Sequence, residues 1–216
     1  MNEASSTPDV IDQLAGIEAG DLLDALRGRR PQARAHAQQS YLALFEPAPP
    51  LPGDFTPTER FAVAAFVAGL HRHAASARFY AEGLARHGAA REMLDVVVAA
   101  AASNAAQGPF GQFPAGPLSA EDCTGIAYAA SEAQRTLLGP RLGAAFEHAH
   151  LLLFHPRDAS AAALQRLLDA GWTTSDIVSL SQLVAFLSFQ IRVVVGLQVL
   201  GARPAMPSSS EGQGLP

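Results

Sequence analysis

The chain has 216 residues, of which 49% are hydrophobic, 16% are charged and only one is a cysteine. This length corresponds to one domain, with or without tails. The single cysteine excludes an intramolecular disulfide, a Cys-x-x-Cys redox centre and a cysteine-built zinc site. A net charge of −5 excludes the basic field that attracts phosphates, so we expect no nucleic-acid partner. The 43 alanines indicate an all-α fold, because alanine is the best helix former and a poor strand former.

The sequence also bears on the compartment. Its first residues are polar and lack the basic and apolar regions of a signal peptide, and the lone thiol suits the cytoplasm, so we predict a cytoplasmic protein. Residues 177–200 are long enough to cross a membrane, but several polar side chains and Arg192 interrupt them. We therefore interpret this segment as a buried helix of a soluble protein, with no membrane partner.

The N-terminal quarter is predicted to form an extension of short helices. Residues 1–7 and 202–216 are polar or rich in Pro, Ser and Gly, which predicts disordered tails. Residues 8–53 contain three helical patterns and a proline-rich linker that no helix can cross. The helices are predicted at 10–17, 21–29 and 31–45, and the linker at 47–53.

Residues 54–201 are predicted to form the main domain. A threonine cap at Thr56, a proline at Pro57 and an acid at Glu59 start its first helix. Thr173 and Asp176 give the same signal for a last long helix. Between them we predict helices at 74–87, 91–107, 119–138, 141–155 and 159–170. The loop at 108–117 carries two phenylalanines, and loops of this length tend to be functional or to cross an interface.

Several histidines are candidates for acid–base chemistry. Glu147 and His150 form a Glu-x-x-His pair on one helical face, but a di-iron bundle needs two such motifs, so we predict no metal. The near-neutral pKa of histidine suits His148, His150 or His155 to a general acid or base. The alternative is structural: His155 can cap a helix end, and the others can form hydrogen bonds in a subunit contact.

Two further residues have both a structural and a functional interpretation. Arg192 is the lone charge in an apolar helix, so we predict burial and pairing with Glu147 or Glu59, or binding of a substrate carboxylate. Cys123 falls in the first turn of the helix predicted to start near Ser119. Helix amides there favour a thiolate, but the acids beside it oppose one, so a plain packing residue is the simpler interpretation.

A family pattern runs through the C-terminal part, in residues 141–150, 155–158, 170–173, 177–186 and 189–194, and extends more loosely back to Phe55. This pattern resembles that of the carboxymuconolactone decarboxylase / alkylhydroperoxidase D-like superfamily. It implies an all-helical bundle that assembles as a homotrimer or homohexamer. Such assembly would also explain the low charge content.

The redox members of that superfamily carry a glutamate, a Cys-x-x-Cys and a histidine. In them a proton relay lowers the thiol pKa, the thiolate attacks peroxide and the second cysteine resolves the product. Glu59 matches the leading glutamate, whereas the cysteine positions fall near His71 and Ala74 and the histidine near Arg78. Both thiols are absent, so the resemblance excludes dithiol peroxidase chemistry at this site.

Three functional hypotheses follow. The first is a non-redox enzyme without a cofactor that acts on a small organic acid or peroxide. The second is a catalytically inactive subunit of a homo- or hetero-oligomer, and the third is residual single-thiol peroxidase activity through Cys123. For the first hypothesis, we assign proton transfer to Glu59, His71, His148 and His150, and carboxylate binding to Arg78 and Arg192.

Overall fold

The computed structural model describes residues 8–47 and 53–202, so the tail predictions for 1–7 and 203–216 and most of the linker lie outside the described residues. The described part is all-α, apart from one isolated bridge between Gly111 and Cys123. Short 3-10 helices occupy Pro117–Glu121 and Pro156–Asp158. The α-helices are α1 (Val10–Ala15), α2 (Leu22–Gly28), α3 (Pro31–Phe45), α4 (Pro57–Leu70), α5 (Ala74–Arg86), α6 (Arg91–Asn104), α7 (Glu132–Phe154), α8 (Ala161–Asp169) and α9 (Thr174–Gly201).

Helices α4 and α9 form the centre of the core. Helix α4 contacts α5, α6, α7 and α9, and all but one of its residues from Phe61 to Leu70 are buried. Helix α9 is the one described helix that is long and apolar enough to cross a membrane. Its Leu180, Leu187 and Val194 are buried, and the helix packs against α1, α3, α4 and α7.

The N-terminal extension packs onto the same core. Val10 and Ile11 of α1 are buried, and α1 contacts α9. Arg27 of α2 pairs with Asp9 and Asp12, while Arg34 of α3 pairs with Asp12 and Asp24. These ion pairs connect the three helices to one another.

One predicted helix is wrong. Instead of a helix over 119–138, the chain has the short 3-10 helix and then irregular structure up to Ser131, whose side chain caps α7. The cause is tertiary: the backbone of Cys123 pairs with Gly111, and Gly125 lies so close to Phe110 that a Cβ there would be 2.2 Å from its ring. Cys123 is exposed and follows the 3-10 helix, so the predicted helix N-terminus around its thiol is absent.

The predicted break between residues 138 and 141 is a kink inside α7. Gly139 has φ 77°, a left-handed conformation that favours glycine, and Pro140 follows it. The second half of α7 therefore has a helix start of its own at Arg141.

Arg141 joins the starts of three helices. Its Nε donates to Oε1 of Glu59, in the first turn of α4, at 2.7 Å, and its Nη2 lies 3.5 Å from Oδ2 of Asp176, in the first turn of α9. The guanidinium carbon lies 4.1 Å from the centre of the Trp172 ring, and Nη1 donates to the carbonyl of Gly171. One side chain thus connects α4, α7 and the turn before α9.

We predict that Arg141→Met lowers the free energy of unfolding by about 3 kcal/mol, because it leaves the carboxylate of Asp176, which has no exposed surface, without its cation. Urea denaturation measures the change. Arg91→Met is the control, since Arg91 and Asp95 form a largely exposed pair worth less than about 1 kcal/mol. Equal losses in the two variants would contradict this role of Arg141.

Glycine permits the close approach of α4 and α6. A Cβ on Gly69 would lie 2.6 Å from Cβ of Ala101, whereas a Cβ on Gly196 of α9 would meet nothing within 4 Å. We predict that Gly69→Ala destabilises the protein by about 1–3 kcal/mol through overpacking. Gly196→Ala should instead stabilise it by about 0.5–1 kcal/mol through helix propensity. Thermal denaturation of the two variants checks the opposite signs, and a stabilised Gly69→Ala would show that the helices are not in contact there.

Candidate active site

The structure separates Glu59 from His71. Glu59 lies in the first turn of α4 and His71 caps its C-terminal end, twelve residues later and about 18 Å away along the helix. Glu59 is also occupied, because Oε1 pairs with Arg141 and Oε2 accepts from the backbone and hydroxyl of Thr56. The two residues therefore do not form one acid–base site, and Glu59 acts as a helix cap and ion-pair partner.

His71 lies in a largely buried position between α4 and α5. Its Nε2 is buried and has no hydrogen-bond partner in the described part of the chain. Burial, reinforced by the positive charge of Arg192, lowers the pKa of His71 to about 4. His71 is therefore neutral at pH 7.

Neither predicted substrate-binding arginine is buried. Arg78 lies on the surface of α5, with Nε 3.9 Å from a carboxylate oxygen of Glu82. Arg192 is exposed and forms no ion pair within residues 8–47 and 53–202, so its predicted burial and pairing with Glu147 or Glu59 are wrong. The reason is helical phase: Ile191 is buried, and Arg192 lies about 100° further round α9.

His148 and His150 lie on different sides of α7, because residues two apart on a helix diverge. His148 faces α9, where its Nε2 is 2.9 Å from Oγ of Ser181. The Ser181 hydroxyl donates to the carbonyl of Ile177, so Nε2 of His148 must carry the proton. Nδ1 of His148 is buried without a partner among the described residues, and burial lowers the pKa of this histidine.

His150 has the same tautomer for a different reason. Its Nε2 lies 3.2 Å from the carbonyl oxygen of Asn104, at the end of α6, and a carbonyl can only accept. Burial lowers the pKa of His150 more strongly than the carbonyl raises it. A neutral ring with the proton on Nε2 keeps a free lone pair on Nδ1.

His150 lines a pocket of about 140 Å³ at the C-terminal end of α7. His155 also lines it, with Nδ1 3.0 Å from Oδ2 of Asp158 and Nε2 2.7 Å from the carbonyl oxygen of Ile126. Burial raises the pKa of Tyr128, another lining residue, to about 12. The full lining is Ala127, Tyr128, Glu147, His150, Leu151, His155, Asp158 and Arg166.

The pocket brings together charges of both signs. Glu147 accepts from Arg135 at 2.7 Å and from the backbone of Ala130 at 3.0 Å, so its negative charge is paired. Arg166, on α8, forms no ion pair in the described part of the chain and retains a free positive charge beside the pocket. No group of three or more His, Cys, Asp or Glu side chains in the described ranges could hold a metal ion.

The sequence identified part of this pocket. His150, His155 and Glu147 were candidates from their spacing, but Tyr128 and Arg166 were missed. Tyr128 comes from an irregular segment that was predicted as a helix, and Arg166 comes from a separate helix. Only the packing of α8 and the 122–131 segment against α7 brings them together.

No protein-family model, curated protein or solved structure matches this chain. The conclusions on function therefore rest on the residues and their geometry.

We predict that the neutral His71 makes stability depend on pH. Its pKa is 6.5 in the unfolded chain and about 4 in the folded chain, so the unfolded state binds more protons between these values. Stability is therefore lost as the pH falls from 6.5 towards 4, by up to about 3 kcal/mol. Urea denaturation at pH 7 and at pH 4 should show a smaller pH effect in His71→Leu than in the wild type. The same pH effect in both proteins would contradict a neutral His71.

Proposed function

We propose that the chain is a non-redox enzyme that moves a proton on a small organic acid in the His150 pocket. The observation that supports this is the fixed tautomer of His150: the carbonyl of Asn104 accepts from Nε2, which leaves Nδ1 unprotonated at neutral pH. A neutral imidazole with a fixed lone pair is suited to act as a general base. The other predicted proton-transfer residues, Glu59, His71 and His148, lie outside this pocket.

The size of the pocket and the guanidinium of Arg166 favour a small anionic substrate. A volume of about 140 Å³ suits a molecule of a few heavy atoms. Arg166 supplies the positive charge, and arginine binds carboxylates with two parallel hydrogen bonds. In this proposal Arg166 takes the carboxylate-binding role that the sequence suggested for Arg78 and Arg192.

The proposal agrees with the family resemblance of the sequence. The alkylhydroperoxidase D-like superfamily includes a decarboxylase branch that needs no dithiol, and this chain lacks both cysteines of the redox motif. The same resemblance supports a homotrimer or homohexamer, and the lone thiol suits a cytoplasmic location, as part of the proposal.

A second candidate function is that of a catalytically inactive partner subunit. It is favoured by large apolar side chains exposed on α6 and α9, which a neighbouring subunit could cover. These are Val98, Val178, Phe189, Val195, Val199 and Leu200. The pairing of Glu59 with Arg141 also favours it, because a structural ion pair occupies the glutamate that the resemblance assigns to the proton relay.

Proton transfer can be tested without knowing the product. The full chain is incubated in deuterated water with short 2-oxo acids of three to five carbons, and deuterium incorporation at the carbon beside the carbonyl is followed by NMR. We expect enzyme-dependent exchange that falls at least about 100-fold in His150→Gln. Arg166→Met should raise the substrate concentration needed for half-maximal exchange.

The control is His36→Gln, since His36 lies on the exposed face of α3, far from α7, and should retain full exchange. Absence of exchange with every acid, together with unchanged His150 ring signals on their addition, would contradict the proposed activity and favour the inactive subunit.

A further inference from the structure

A second cavity, of about 610 Å³, lies between α3, the start of α4 and α9. Leu44, Phe186 and Phe189 contribute apolar surface, and Ser179 and Gln182 contribute polar groups. Its volume is within the range of about 300–1,000 Å³ that is typical of small-molecule sites. It lies at the opposite end of α4 from His71 and apart from the His150 pocket.

A buried arginine lines this cavity. The exposed fraction of Arg60 is 3%, and its guanidinium carbon lies 4.5 Å from the centre of the Phe55 ring. Nε donates to the carbonyl of Phe55 at 2.9 Å, and Nη1 donates to the carbonyl of Leu44 at 2.7 Å. Within residues 8–47 and 53–202, Nη2 has no hydrogen-bond partner, and no carboxylate forms an ion pair with the side chain.

The acids whose charges act on Arg60 are already paired with another arginine. Glu59 and Asp176 favour the charged form of Arg60, but both are bound to Arg141. Burial nevertheless lowers the pKa of Arg60. A buried guanidinium without a close anion is costly, and a ligand carboxylate in the cavity would supply that anion.

The shape of the site favours an elongated ligand. A further cavity of about 270 Å³ begins at Phe189, which lines both, and continues along α9 to Leu197. Most of its accessible surface is apolar, although Arg27, Arg30 and Arg34 also line it, and from Ser179 to Leu197 helix α9 rises by about 27 Å. The two cavities together form one groove along α9, and a long apolar chain fits this groove better than a compact molecule does.

We propose that this groove binds an amphipathic monocarboxylate, with the carboxylate paired to Arg60 and an unbranched hydrocarbon chain lying along Phe186, Phe189 and the α9 surface beyond them. The ligand class is that of a fatty acid. This inference is independent of proton transfer at His150, since it uses different residues and a different ligand.

Isothermal titration calorimetry of the full chain with dodecanoate, below its micelle concentration, tests the proposal. Dodecanol has the same chain and no charge, and we expect it to bind at least about tenfold more weakly, because a hydrogen bond to a charged group is lost. Equal binding of the acid and the alcohol would overturn the role of Arg60.

Two variants separate binding from folding. Arg60→Met removes the charge but also loses the bonds to Leu44 and Phe55, so it can affect folding. Gln182→Glu retains Arg60 and places a carboxylate on the exposed rim of the same cavity. We expect it to weaken dodecanoate binding at least about tenfold and to raise the melting temperature, because it supplies the missing anion.

Arg91→Met on α6 is the control and should bind dodecanoate like the wild type, because Arg91 lies on the exposed surface and lines neither cavity. Unchanged affinity in Gln182→Glu, or an equal loss in Arg91→Met, would show that dodecanoate adsorbs elsewhere and would overturn the proposal.

Discussion

The fold depends on the ion pairs that Arg141 makes with the first turns of α4 and α9. These helices fill the centre of the core, so the angle between them sets the position of most other helices. Arg141 follows the kink at Gly139, and its stacking on Trp172 also fixes the turn that leads into α9. The ion pairs of Arg141 therefore fix the start of the second half of α7, just after the kink. Because this half is a regular helix, they also fix the positions of His148 and His150 in the interior.

The buried histidines show how this core accommodates polar rings without charged partners. His148 and His150 each donate from Nε2, one to a serine hydroxyl and the other to a backbone carbonyl. Each acceptor selects the same neutral tautomer, and burial stabilises it by disfavouring the imidazolium. The difference between the two lies in their surroundings. His148 borders a cavity of only about 10 Å³, whereas His150 borders the pocket of about 140 Å³, which is the larger space for a substrate.

Local signals in the sequence were sufficient for most helices and insufficient for the site. Thr56 with Glu59, and Thr173 with Asp176, cap the helices that they predicted, because capping needs only residues within one turn. The helix predicted from Ser119 failed because pairing with Gly111, twelve residues away from Cys123, overrides a local cap. The pocket could not be predicted for the same reason, since Tyr128 and Arg166 meet His150 only through tertiary packing.

The positions that the resemblance assigns to the redox motif form a structural connection in this chain. His71 ends α4 as a neutral, buried ring, and the side chain of His73 caps α5 by accepting from the backbone of Ser76. Between them Arg72 has φ 55° and donates to the carbonyl of Ala105, which fixes the turn against the end of α6. The turn at residues 71–73 is thus fixed by a helix cap and by a hydrogen bond to the end of α6. In this chain it has a structural role in place of thiol chemistry. We therefore place the proposed chemistry elsewhere, beside Arg166 and Arg60, each of which lines a cavity and forms no ion pair with a described residue. Of these two arginines only Arg60 is buried, so an anionic ligand beside it would offset the cost of burying its charge.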